Sequence, residues 1–193
     1  MPGPDMPKQP QQDAALSSAA ALARAESLLR AGKFALAERA FRDLVAQAPK
    51  LAAAHGGLGR TLRGQGAYDK AFAVFRHAVA LEGGRGPLLT DLGLELLRAG
   101  LTDEAEAAFA GRLRERPADG PALAAMARLV RERQGGAAAL SYLRQAPACT
   151  WPGLQVLTAD LLHEAGQSSE AAAICKQVLS KAPAHGPSLW LLG

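Results

Sequence analysis

The chain has 193 residues, 49% of them hydrophobic, 5% aromatic and 21% charged, and carries a net charge of +4. That mild basic balance falls short of a nucleic-acid binder, which gathers Lys and Arg on one face with aromatic platforms. Two cysteines, Cys149 and Cys175, without CxxC spacing argue against a disulfide framework or a zinc site, and no run nears the roughly 18–20 apolar residues of a membrane span.

Residues 1–12 read as a disordered lead: four prolines fall within the first ten residues, and little apolar content is available to pack. The segment lacks the apolar run of a secretory signal, so a cytoplasmic protein is expected. From Asp13 the composition turns to Ala, Leu, Arg and Glu, and a helical solenoid is assigned to 13–193. The first unit, about 18–51, sets Leu22, Ala25, Leu28 and Leu29 at helical spacing, breaks at Gly32-Lys33-Phe34, and resumes with Ala37, Ala40, Phe41, Leu44 and Val45 before Pro49. The second, about 52–85, carries Leu58, Gly59 and Leu62, a break at Gly66, then Ala71, Phe75, Ala78 and Leu81, and stops at Gly83-Gly84. The third, about 86–119, has Leu89, Leu92, Gly93 and Leu96, a break at Gly100, then Ala105, Phe109, Leu113 and Pro117.

Gly32, Gly66 and Gly100 stand 34 apart, as do Ala37, Ala71 and Ala105, and Phe41, Phe75 and Phe109. A period of that length marks an array of helix–turn–helix units. The fourth unit, about 120–151, is degenerate: Leu123, Met126, Ala127 and Val130 form its first helix, but the second is short and ends before Pro147. Gly166, Ala171 and Pro183 each lie 66 residues after Gly100, Ala105 and Pro117, two periods less two residues. The fifth unit, about 152–185, contains Ala159, Leu162, Gly166, Ala171, Cys175 and Val178. A sixth begins at 186–193 with Leu189, Trp190 and Leu192, an apolar end where a solenoid needs a polar cap. This predicts either a longer protein or an end covered by a partner, a second copy included.

The chain resembles the tetratricopeptide repeat. Leu58-Gly59-x2-Leu62 and Leu92-Gly93-x2-Leu96 match the first half of that pattern. Ala37-x3-Phe41, Ala71-x3-Phe75 and Ala105-x3-Phe109, with Pro49, Pro117 and Pro183, match the second. Departures are Gly83 for a terminal proline, the shortened fourth unit, Cys175 in the Phe slot, and no first-helix Trp. The resemblance implies an all-α, right-handed alpha-alpha superhelical solenoid in which Ala25, Gly59, Gly93, Ala127 and Ala159 face Ala37, Ala71, Ala105 and Ala171 where helices cross. The phenylalanines are then expected to fill the wedge to the next unit.

In this family the first helices line a concave groove. Carried over, its positions give Arg60 and Arg63, then Leu94, Leu97 and Arg98, then Arg128 and Arg131, with Leu22, Glu26 and Arg30 in unit one and Asp160, His163 and Glu164 in unit five. The expected binding set is Arg60, Arg63, Leu94, Arg98, Arg128 and Arg131, suited to an acidic peptide or a C-terminal carboxylate because Arg binds carboxylates in two-pronged fashion. The carboxylate-clamp subtype uses paired Lys and Asn where this chain has Leu22, Glu26 and Gly57, which argues against it. No catalytic set, metal site or cofactor motif emerges. His55, His77, His163 and His185 lack an i,i+4 ligand partner and read as surface or groove residues. Trp151 reads as an inter-unit packing residue and Cys149 as an exposed thiol. The expected function is a scaffold for protein contact and not an enzyme. The alternatives are a module of a longer bacterial enzyme of sulfotransferase, glycosyltransferase or hydroxylase type, and a self-assembly module.

Overall fold

The computed structural model describes residues 10–181, 183, 186 and 188, with side chains from Ser17 onward. Among the described residues the chain is all helix and loop: α1 (Pro10–Arg30), α2 (Phe34–Gln47), α3 (Ala52–Gly64), α4 (Tyr68–Leu81), α5 (Leu88–Arg98), α6 (Thr102–Glu115), α7 (Gly120–Gln134), α8 (Gly136–Gln145), α9 (Pro152–Glu164) and α10 (Ser168–Lys181). Two compact units divide it, residues 1–95 and 96–193, the division falling inside α5. Helix α1 starts at Pro10, inside the stretch that composition marks as disordered. Leu189, Trp190 and Leu192 lie outside the described residues.

The repeating glycines end helices. Gly32 has φ +68, and its N–H donates to Leu29 O at 3.0 Å while Lys33 N–H donates to Leu28 O at 3.0 Å. That pair of reversed bonds satisfies carbonyls the helix leaves open, and the left-handed residue it requires is cheapest as glycine. The same pair recurs behind Gly66, Gly100 and Gly166. It also explains Gly83, which replaces the terminal proline of unit two. Gly83 N–H reaches Ala80 O and Gly84 N–H reaches Val79 O, so α4 is closed by a glycine cap instead.

In the first compact unit the hairpins α1–α2 and α3–α4 share one core of Ala25, Ala37, Phe41, Leu44, Ala54, Leu58, Leu62, Ala71 and Phe75. Helix α3 is the thin layer in it. Phe41 lies on the backbone at Gly57, Phe75 on Gly59 and Phe34 on Gly64, and Leu88 reaches Gly56. Aromatic wedges can come that close only where no Cβ stands in the way. Crossing alanines Ala25, Ala37 and Ala71 are each 0% exposed, as a close helix approach requires.

In the second unit α7–α8 and α9–α10 enclose Leu123, Ala127, Ala139, Leu140, Leu157, Ala159, Leu161, Leu162, Ala171 and Cys175. Cys175 fills the wedge slot at 1% exposure. The two-residue deficit resolves into two changes. Helix α8 has 10 residues against 14 in α6, and the connection behind α8 spans 146–151 where the one behind α6 spans 116–119. Asp119 caps α7, accepting from Ala122 N–H at 3.2 Å, while its other oxygen accepts from Arg112 Nε at 2.8 Å.

Candidate functional site

Neighbouring first helices are tied by arginine–carboxylate bridges. In the first unit Arg60 Nη1 donates to Asp91 Oδ2 at 3.0 Å, and Arg63 Nη2 to Asp91 Oδ1 at 3.0 Å. Arg63 Nη1 also reaches Glu95 Oε1 at 3.5 Å, and its guanidinium lies over the Phe75 ring, 5.5 Å from the centroid. Asp91 and Glu95 are one turn apart on α5, so a single helix face meets both arginines of α3. The Glu95 side chain is 1% exposed. A carboxylate that far from water needs counter-charge nearby, which makes Arg63 a structural bridge as well as a face residue.

In the second unit Arg131 of α7 does the same job. Its Nη1 donates to Asp160 Oδ2 at 3.1 Å and its Nη2 to Glu164, both on α9. Arg128, one turn before Arg131, is exposed and has no side-chain partner among the described residues. Arg98 is exposed on α5, and Leu94 on the same helix is half-buried. The structure thus brings Arg60 and Arg63 together on Asp91, commits Arg131 to two acids, and leaves Arg128 with all its donors available.

Sequence reasoning missed Asp91 and Glu95. Their signal was an acidic i,i+4 pair on the helix after two arginines at i,i+3, legible once the helices are known to lie side by side. It also misread His55, which is buried at 8% exposure, not a surface or groove residue. His55 Nε2 lies 2.8 Å from Pro49 O, and its ring meets His77 edge-on at 4.8 Å between centroids. Trp151 keeps 40% exposure, though its side chain closes on the backbone of Gly120 and Gly153. Cys149 is half-buried beside Gly120 rather than exposed.

Burial pushes the Tyr142 phenol and the Cys175 thiol above their ordinary pKa values, which favours their neutral forms. Among the described residues no three His, Cys, Asp or Glu side chains gather as metal ligands, and no helix is long and apolar enough to cross a membrane.

Residues 22–85 match a family model described as a tetratricopeptide repeat. No curated protein matches the chain. Among solved structures it is similar to TTC0263, a thermophilic protein with these repeats from Thermus thermophilus, at TM-score 0.73 and 21% identity over 90% of this chain and 94% of that one. It is similar to pilF of Pseudomonas aeruginosa at TM-score 0.72 and 18% identity, covering 93% of this chain and 82% of that one. A chain of the APC/C hetero-tetramer Cut9–Hcn1 is similar at TM-score 0.71 and 16% identity over 86% of this chain, which spans only 34% of the larger one. These likenesses establish the fold class, an all-α helical-repeat solenoid.

Proposed function

We propose that this chain, whose residues 22–85 match the tetratricopeptide repeat, holds a peptide or partner segment against the exposed faces of its first helices. The repeat fold itself supports a scaffold for protein contact, since stacked helix pairs offer extended binding surface. The hetero-tetrameric relative, built with a partner chain, agrees with that class of use.

The observation that carries the finer reading is the difference among the arginines. Arg63 and Arg131 are spent on bridges between helices. Arg60 gives one nitrogen to Asp91 and keeps 34% of its side chain in solvent, and Arg128 is uncommitted. A guanidinium has five N–H donors in a planar fork, so both retain donors for a carboxylate. An acidic peptide, or a chain end, is the ligand chemistry these two favour. Within each unit a bridging arginine holds the helix that carries its less committed neighbour, Arg63 beside Arg60 and Arg131 beside Arg128, and half-buried Leu94 offers apolar surface in the first unit.

The test is affinity capture from the native lysate with the wild-type chain and an Arg60→Glu, Arg128→Glu variant. Loss of a captured partner with unchanged circular dichroism is expected. Equal capture by both proteins would reject the arginine reading.

A further inference from the structure

The outward face of the first hairpin is a stacking face with nothing described upon it. Helices α1 and α2 leave a hollow of about 400 Å³ between them, whose apolar lining includes Leu28, Leu36 and Ala40. Leu36 is 56% exposed, and no other exposed large hydrophobic among the described residues exceeds 45%. The opposite face of the same hairpin shows what such a surface does when covered, since there Phe41 wedges onto α3 at Gly57.

Charge surrounds the hollow. Arg24, Arg39 and Asp43 rim it. Arg42 is paired with Glu38, and Arg60 and Arg63 with Asp91, yet Arg24, Arg39 and Asp43 have no side-chain partner among the described residues. Arg39 and Asp43 are one turn apart and opposite in sign, so the patch is complementary to itself.

We propose that this face pairs with the same face of a second copy of the chain, about a two-fold axis. Two α2 helices packed antiparallel with the axis near position 41 set Arg39 of each copy against Asp43 of the other. The same register lays Leu36 over the Ala46–Gln47 turn of its mate, and the small Ala40 near the axis lets the helices approach. An isologous contact of this kind repeats every interaction twice, so a lone opposite-sign pair on the stripe becomes two interchain ion pairs flanking an apolar centre. Charged rims around apolar centres are the usual anatomy of such contacts.

Symmetry makes the test decisive. Sedimentation of the full chain up to about 200 μM should show a concentration-dependent dimer that weakens in high salt. Arg39→Glu alone, or Asp43→Arg alone, places like charges across the axis and should weaken the dimer about tenfold or more. The double variant Arg39→Glu, Asp43→Arg restores opposite signs and should recover affinity to within about threefold of wild type. Leu36→Glu should leave the chain monomeric with unchanged circular dichroism. A wild-type monomer throughout the range, a dimer indifferent to Leu36→Glu, or no recovery in the double variant would each overturn the proposal. A monomer would leave this face to another protein or to residues 1–9, and a dimer indifferent to Leu36→Glu would point to a different surface of the chain.

Discussion

Phe41 of α2 rests on the backbone of Gly57 in α3 so closely that a Cβ there would lie 2.7 Å from Phe41 Cδ1 and nearer still to Cε1 and Cζ. Phe41 is 0% exposed and packed within the core, so the ring has little room to retreat. Two effects compete in Gly57→Ala. Helix propensity favours alanine by about 1 kcal/mol, and overpacking opposes it by about 1–3 kcal/mol. The second wins because the obstructing atoms belong to a rigid buried ring. The variant should melt several degrees below wild type, and adding Phe41→Leu should restore part of the loss relative to Phe41→Leu alone. A Gly57→Ala midpoint at or above wild type would refute this packing.

Ala71 and Arg76 separate core from face on one helix. Ala71 is 0% exposed at the crossing, whereas Arg76 is exposed with its guanidinium 5.7 Å from the Phe72 ring centroid. Ala71→Leu adds volume to a filled site and should cost about 1–3 kcal/mol. Arg76→Leu removes only an exposed cation–π contact, which contributes about 0.5–1 kcal/mol, and keeps much of the apolar cover on Phe72. Thermal denaturation of the two variants should rank them clearly, and coincident midpoints would mean that the register of α4 is wrong.

These two cases show why the period was so readable. Gly32, Gly66 and Gly100 need left-handed backbone, Ala37, Ala71 and Ala105 need to be small, and Phe41, Phe75 and Phe109 need to be large, so each requirement is met by residue type at a fixed step. Gly56 and Gly57 obey the same packing physics but fall outside the periodic pattern, and their role appears only when Leu88 and Phe41 are placed over them. The arginine face was half legible. The family resemblance implied that Arg60 and Arg63 share a face, but it carries no information on partners 28 to 32 residues away. Asp91 and Glu95 become neighbours only through stacking. A basic strip read residue by residue is therefore, in the fold, partly neutralised by the next helix.

The two cysteines should differ sharply toward thiol reagents. Cys175 is 1% exposed, and burial raises its pKa, so little thiolate forms at neutral pH. Cys149 is half-buried on a connecting segment. One thiol should react with an aromatic disulfide in the native state and the second only in denaturant, with Cys149→Ser abolishing the native reaction. Rapid reaction of both thiols in native buffer would contradict the wedge position of Cys175.

Tyr142 gives a sign to the alkaline limb of stability. Burial raises its folded pKa above the ordinary value near 10, so the folded state holds its proton longer than the unfolded chain does. The resulting contribution is fully present below the unfolded pKa and is lost as pH rises through the folded one. Tyr142→Phe cannot ionise and should show a shallower loss of stability above about pH 10. An unchanged alkaline slope would place the phenol in water.

Asp119 joins two functions that substitution can separate. One oxygen caps α7 at Ala122 N–H, and the other holds Arg112, whose side chain is 7% exposed and also lies 3.6 Å from Glu115. Asn is as good an N-cap as Asp, so Asp119→Asn keeps the cap and removes the charge facing Arg112. Asp119→Ala removes both. Loss of a cap costs about 1 kcal/mol, and loss of a hydrogen bond to a charged group costs about 1.5–3 kcal/mol. The alanine variant should therefore be the less stable by about the value of the cap, and most of the total loss should already appear in the asparagine variant. Arg112→Met in the Asp119→Asn background removes a buried guanidinium whose remaining ion-pair partner is Glu115 at 3.6 Å, so it should recover stability rather than lose more. Chemical denaturation of the three variants decides the matter: an asparagine variant as stable as wild type would show that the cap, not the buried pair, is what Asp119 contributes.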